Sequence, residues 1–248
     1  MPMCRIPLTT VDKPEVRRYA GMASANDFPE VLLAEAIEEG LLMANGKATW
    51  QIFPYDPEQG MIVAPNLLTL QGQDIRKHLA QSTEVAVLAA TIGGDIGQAI
   101  DRCFADGEYT KALLLDAVGT AAVETVADGA NRLIEQEAAR RGLAATWRYS
   151  PGYGDWDVTV QPELIVLAAG AAIGLTVTSH AMLKPRKSVT ALIGLSPRKA
   201  AVTTLDNTML GTPLQSMPTT ASTKKGCTRN RCDICGRKDC LARKGSPS

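Results

Sequence analysis

Apolar and polar positions alternate along this chain with two different periods. Val31, Leu32, Ala34, Ala36, Ile37 and Leu41 recur at helical spacing, with Glu30, Glu35, Glu38 and Glu39 on the polar face. Asn26-Asp27-Phe28-Pro29 supplies a helix start with proline in the first turn, and Gly40 is expected to interrupt or end the regular part. Upstream, Pro14 opens a charged helical turn through Val16-Arg17-Arg18-Tyr19. The longest helical pattern spans about Tyr109 to Arg141, with a bend expected near Gly119 or Gly129. A further helix is predicted from Pro162 through Ala172.

Strand signals lie between these helices. Thr49-Trp50-Gln51-Ile52-Phe53 alternates with period two and is followed by a turn at Pro54-Tyr55-Asp56-Pro57. Leu67 to Leu70 reads as a short strand, and Gln71-Gly72-Gln73-Asp74 turns into a helix around Ile75 to Ala80. Glu84 to Ile92 is a continuous apolar run, as expected of a buried strand. Leu175 to Ser179 and Ser188 to Ile193 are β-branched and strand-like. Gly93-Gly94-Asp95 opens a helix containing Ile96, Ile100 and Cys103; that junction is either a plain turn or an anion site. Helices and strands intermix without regular strand-helix alternation, so the class is α+β rather than doubly wound.

Composition divides the chain. The 248 residues allow one large domain plus a small appendage, and 45% hydrophobic with 21% charged residues is ordinary for a globular protein. Only 4% are aromatic, so the core must rest on Leu, Val, Ile and Ala. The predicted organisation is a domain over 1–198, a Thr/Ser/Pro-rich linker over 199–223 and a basic Cys-rich tail over 224–248. From Ser222 onward eight Lys and Arg face Asp233 and Asp239, a net +6 on a chain of net charge zero. Such a tail suggests a docking element or an arm. The neutral total argues against a nucleic-acid partner. Leu164 to Leu175, the most apolar stretch, falls short of the roughly 20 residues needed to span a bilayer, so no membrane partner is expected. Met1 to Thr10 holds no long apolar run, and a cytoplasmic location is expected.

Cys227-x4-Cys232-x2-Cys235-x4-Cys240 packs four thiols into the tail. In a reducing compartment that density points to zinc or an iron–sulfur cluster, or else to reduced thiols or a redox pair. Cys4 and Cys103 stand alone and are expected as small buried hydrophobes.

The richest chemistry lies in Arg148-Tyr149-Ser150-Pro151-Gly152-Tyr153-Gly154-Asp155-Trp156. Pro151 presets a turn and Gly152 suits its positive-φ corner. Gly152 and Gly154 leave bare backbone for close approach, and Arg148 carries a fork that grips a carboxylate in two places. Tyr153 and Trp156 offer flat apolar faces with polar tips. The stretch is either a structural turn with a solvated arginine or a loop that holds a zwitterionic, partly aromatic ligand. Glu124 and Asp128 lie four apart, on one helical face, as surface acids or as ligands.

Arg148-x-x-Pro151-Gly152-Tyr153, extended through Gln161-Pro162-Glu163-Leu164, resembles the S-adenosylmethionine-binding loop of the activation-domain family of cobalamin-dependent methionine synthase, and in particular its stand-alone members. Two other blocks agree: Leu115 to Glu124 before the loop, and Leu175 to Ser179, Met182, Pro185 to Ala191 and Gly194 after it. Together they cover about residues 65–195. The resemblance implies a twisted, largely antiparallel sheet flanked by helices.

It also implies a role. The chain would be the S-adenosylmethionine-binding reactivation subunit of a split enzyme, supporting reductive methylation of cob(II)alamin held by a partner. That partner would be the cobalamin-binding methionine synthase core, with a flavodoxin-like or other electron donor. Arg148 would take the methionine carboxylate, the backbone around Ser150, Pro151 and Gly152 would face the nucleoside, and Tyr153 would meet the corrin ring, the position closest to the chemistry. Glu124, within a matched block, and Asp128, by spacing, would serve the positive end. Neither His78 nor His180 sits in the Asp-x-His-x-x-Gly pattern that holds cobalt, so cobalamin would come from the partner. The rival readings are a metal-stabilised adaptor with a vestigial pocket, and a reductive activator for another corrinoid methyltransferase.

Overall fold

The computed structural model describes residues 3–22 and 28–198. The linker and the cysteine tail, with Cys227, Cys232, Cys235 and Cys240, lie outside the described residues. Among those described, no group of three or more His, Cys, Asp or Glu is placed to hold a metal, and no helix is long and apolar enough to cross a membrane.

A seven-stranded sheet, antiparallel at every pairing, divides the molecule. Its strands are β1 (Met3–Arg5), β2 (Lys47–Asp56), β3 (Met61–Ile62), β4 (Leu68–Thr69), β5 (Glu84–Thr91), β6 (Leu143–Ala145) and β9 (Ser188–Pro197). They run in the order β4-β3-β2-β5-β9-β6, with β1 also pairing with β2. The central register sets Trp50 opposite Leu88 and Leu88 opposite Ala191. A separate two-stranded hairpin joins β7 (Thr176–Val177) and β8 (Leu183–Lys184).

The run from Val85 to Thr91 lacks alternation because both faces of β5 are covered. Ala86, Leu88 and Ala90 point into one core with α1 (Lys13–Tyr19), α2 (Glu30–Met43), α4 (Asp95–Ala105) and α5 (Tyr109–Arg140). Val85, Val87 and Ala89 point into a second core with α3 (Gln73–His78), α6 (Gln161–Leu167), Tyr149 and Trp156. The 32 residues of α5 extend for roughly 48 Å.

The structure revises several expectations. Helix α2 runs through Gly40 to Met43. A Cβ at Gly40 would lie 2.5 Å from Val118 Cγ1, so this glycine lets α2 sit down on α5. Helix α5 likewise continues through Gly119 and Gly129, where added Cβ atoms would meet Ile96 at 3.2 Å and Ile6 at 2.6 Å. At all three positions the missing Cβ leaves room for a partner side chain. The predicted helix from Pro162 to Ala172 stops at Leu167, and after left-handed Ala169 (φ 55°) the chain makes a 3-10 turn over Gly170–Ile173. The terminal carbonyl of Ala168 accepts from Thr49 Oγ1 at 3.1 Å, a contact across 119 residues that no local pattern announces. At the Gly-Gly junction Gly93 takes φ +85° and its N–H donates to Thr91 Oγ1, a turn closed on itself. Cys103 is buried as expected, and Cys4 partly so.

Candidate functional site

The segment after α5 runs along the free edge of β9. β6 pairs with Leu195 to Pro197, Thr146 N donates to the Gly194 carbonyl at 2.8 Å, and Tyr149 exchanges two 2.9 Å backbone bonds with Leu192. This edge contact fixes the alternation of side chains. Trp147 and Tyr149 turn toward the second core, whereas Arg148 turns toward α5.

Arg148 is 2% exposed, yet it reaches two acids that water also reaches. Its Nη2 lies 2.9 Å from Glu124 Oε2 and 2.8 Å from Asp128 Oδ1, with those acids 31% and 44% exposed. One cation against two anions leaves this cluster with a net single negative charge. A pocket of about 110 Å³ opens beside it, walled by Asp128, Asn131 and Glu135 of α5 and by the segment Ala145 to Arg148. Tyr19 on α1 lies near Glu124. Burial, and next the negative charge of Glu124, push its phenol pKa up, while the Arg18 guanidinium lies 4.2 Å over its ring.

The turn after Arg148 is tightly bonded. Tyr153 N donates to the Ser150 carbonyl (3.2 Å), Trp156 N to the Tyr153 carbonyl (3.0 Å) and Gly152 N to the Trp156 carbonyl (2.7 Å). Gly152 (φ +88°) takes the left-handed corner that Pro151 sets up, as expected. Gly154 (φ +52°) is needed for space as well, because a Cβ there would lie 2.4 Å from Asp74 Oδ2 and 2.6 Å from the Tyr149 hydroxyl.

Asp155 ties the turn to α3, accepting from Gln73 N at 2.6 Å and Asp74 N at 3.0 Å. The backbone N–H groups of Asp74 and then Gln73 hold its carboxyl below the usual range. From α3, His78 packs against both Trp147 and Tyr149, with ring centroids 4.3 and 5.2 Å away, while those two rings also touch each other at 5.3 Å. Its Nε2–H donates to the Trp147 carbonyl at 2.9 Å, and burial pushes its pKa down, keeping the ring neutral.

The structure therefore brings Arg148, Glu124 and Asp128 together and sets Ser150, Pro151, Gly152 and Tyr153 in one half-buried turn beside them. Tyr153 meets Tyr149 edge-on at 5.7 Å. Trp156 departs from expectation: at 2% exposure it is a core residue beneath the loop rather than a face for a ligand. Sequence reasoning missed Asn131, Glu135, Tyr19, Asp155 and His78. Asn131 and Glu135 were within reach of it, since steps of three and four residues from Asp128 keep to one helical face. Tyr19 and His78 arrive by tertiary packing alone.

This is a helix-backed antiparallel sheet carrying an arginine-acid cluster at its edge, and the fold is that of a methionine synthase reactivation domain. Among solved structures the chain is similar to the MetH reactivation domain bound to AdoHcy (S-adenosylhomocysteine), with a TM-score of 0.52 and 13% identity over 80% of each chain. At that identity the likeness is one of fold. No family model and no curated protein matches the chain.

Proposed function

We propose that this chain binds S-adenosylmethionine at the Arg148 loop and serves as the reactivation subunit of a split cobalamin-dependent methionine synthase. The observation that carries the reading is the buried Arg148 held between Glu124 and Asp128 at the start of a Pro-Gly-Tyr turn. It stands on a fold shared with a domain solved with AdoHcy.

The residues fit the ligand by charge. S-adenosylmethionine carries a carboxylate, an ammonium and a sulfonium, a net single positive charge that complements the net negative cluster. Arg148 exchanges part of its bonding to the acids for the ligand carboxylate, and the acids so released take the positive end. Arg148 is already desolvated and held in place, so the carboxylate meets a pre-set guanidinium. Ser150, Pro151 and Gly152 present backbone to the nucleoside, with Gly152 lacking the side chain that would hold the ligand off. Tyr153, on the half-buried rim, is the residue that meets the corrin ring of a docked partner.

Cobalamin held by that partner would supply the methyl acceptor, the transfer consuming one electron from a flavodoxin-like or other donor and leaving S-adenosylhomocysteine. This chain holds the methyl donor in one orientation and shields it from water; the hard chemistry belongs to the cofactor.

The test is methyl transfer from labelled S-adenosylmethionine to a cob(II)alamin-loaded candidate partner, with a one-electron reductant present. Label should appear on cobalamin only when the chain is added and should disappear with Arg148→Met. Docking without transfer would instead identify an adaptor.

A further inference from the structure

Side-chain alternation reverses in the segment that leads to Arg148. Leu143 and Ala145 pack on the first core, whereas Trp147 and Tyr149 pack on the second. In an unbroken strand these odd-numbered positions would share one face. The register locates the change. Ala145 stands opposite Leu195 and Tyr149 opposite Leu192, so four steps on this strand match three on β9. The extra residue makes a β-bulge in which Thr146 and Trp147 together face Gly194. Without it, the register of β6 would set Arg148 opposite Leu192, whose side chain lies in the second core, away from the acids of α5.

Side chains meet the backbone groups that the bulge takes out of the regular ladder. Gly194 N–H donates to Thr146 Oγ1 at 2.9 Å, where an even ladder would offer it a carbonyl. Thr146 Oγ1 in turn donates to the Trp147 carbonyl at 3.1 Å. His78 Nε2–H donates to that same carbonyl at 2.9 Å and lies 3.0 Å from Thr146 Oγ1. The Trp147 carbonyl belongs to the peptide plane from which Arg148 departs, so its two donors set the direction of the arginine. Removing them leaves half-buried polar groups short of partners and favours the even register instead.

We infer that His78 and Thr146 are positioning residues for Arg148, holding the one-residue bulge that turns its guanidinium toward Glu124 and Asp128. His78 reaches the segment from α3, on the side of the second core, and acts on a ligand only through Arg148. The effect on binding rests on the proposed S-adenosylmethionine reading; the effect on the aim of Arg148 rests on the register alone.

The experiment is a comparative titration with S-adenosylhomocysteine and with 5′-methylthioadenosine, which keeps the nucleoside but lacks the amino-acid end that Arg148 would hold. His78→Phe keeps a ring without the donor, and Thr146→Val keeps the shape without the hydroxyl. Each should weaken S-adenosylhomocysteine about tenfold, as for a lost hydrogen bond to a charged group, and leave methylthioadenosine unchanged. His78→Gln and Thr146→Ser, which restore a donor, should recover most of the loss. The two positions probe the bulge separately, so a failure to fold at one leaves the other to decide. Equal losses for both ligands, or no recovery in the donor-restoring variants, would reduce these residues to packing and overturn the inference. Unchanged affinity in both His78→Phe and Thr146→Val would overturn it as well. If the wild-type chain binds neither compound, the S-adenosylmethionine reading falls, and solvent exchange of the Arg148 Nε–H, read by nuclear magnetic resonance without ligand, decides the positioning. Faster exchange in His78→Phe and Thr146→Val than in wild type would sustain it, and equal exchange would end it.

Discussion

Removing the two halves of the Arg148 cluster should have unequal consequences for stability. The guanidinium is 2% exposed, whereas Glu124 and Asp128 are 31% and 44% exposed. Replacing both acids, as in Glu124→Gln with Asp128→Asn, leaves a buried cation without its neutralising charges. Such a loss costs about 3–5 kcal/mol. Arg148→Met removes the buried charge, keeps most of the apolar stem and leaves two acids that water can solvate. Their residual repulsion at i,i+4 is worth only a few tenths of a kcal/mol, so the total cost should be about 1 kcal/mol. Domains of this size hold only about 5–15 kcal/mol in all, so the acid double variant should approach the unfolding threshold at 37 °C. Urea unfolding at neutral pH, with the denaturant slope checked for constancy, reads both values. If Arg148→Met proved as destabilising as the double acid variant, the buried guanidinium would not be the charge that needs compensation.

Three further outcomes follow from the packing and the loop. Gly40→Ala gains about 1 kcal/mol of helix propensity, but its Cβ would stand 2.5 Å from Val118 Cγ1. Overpacking of about 1–3 kcal/mol should win, and Val118→Ala in the same chain should recover part of the loss in thermal unfolding; a rise in Tm for Gly40→Ala alone would refute the close-packing account. Gly154→Ala places a side chain at φ +52°, at about 1 kcal/mol or more from the left-handed backbone alone, and against Asp74 and Tyr149. Amide exchange across 149–157 should accelerate in that variant, and unchanged protection would show that the turn tolerates a Cβ. His78 is held neutral by burial, with its folded pKa below the unfolded value of about 6.5. Above that pH both states are neutral and its contribution is complete; as pH falls below about 6.5 the unfolded state takes the proton first and stability declines until the folded pKa is passed. The stability difference between wild type and His78→Gln, measured from pH 7.5 to 5, should shrink in that window; a constant difference would remove His78 as its source.

Much of the scaffold was legible because the strongest signals are periodic. The length of α5 and the apolar run of β5 came through, whereas the stripe assigned to α2 is partly misplaced: Val31, Leu32 and Ala34 are exposed, and Leu33, Ala36 and Gly40 form the buried face. The glycines were harder to read. Gly40 looks like a break, and Gly119 or Gly129 like a bend, in a single sequence; what the sequence hides is that each makes room for a partner element pressed against it. The early end of α6 was hidden for a similar reason, since the carbonyl of Ala168, just past its last residue, is satisfied by Thr49 of β2. At the site, the motif and the four-residue spacing were enough to group Arg148, Glu124 and Asp128. Asp155, by contrast, caps a helix 82 residues upstream, and nothing local marks it. Trp156 shows the limit of composition: an aromatic in a loop can face a ligand or fill the core below it, and only the fold decides.

The central claim, that the Arg148 loop binds S-adenosylmethionine, is tested most directly by calorimetric titration of the purified chain with S-adenosylmethionine and S-adenosylhomocysteine. The account predicts saturable binding of both, tighter for S-adenosylmethionine because its sulfonium charge meets a net negative cluster. Arg148→Ala should weaken both by roughly 2–5 kcal/mol, the cost of losing a desolvated bidentate partner. No saturable binding, or an affinity that Arg148→Ala leaves unchanged, would contradict it.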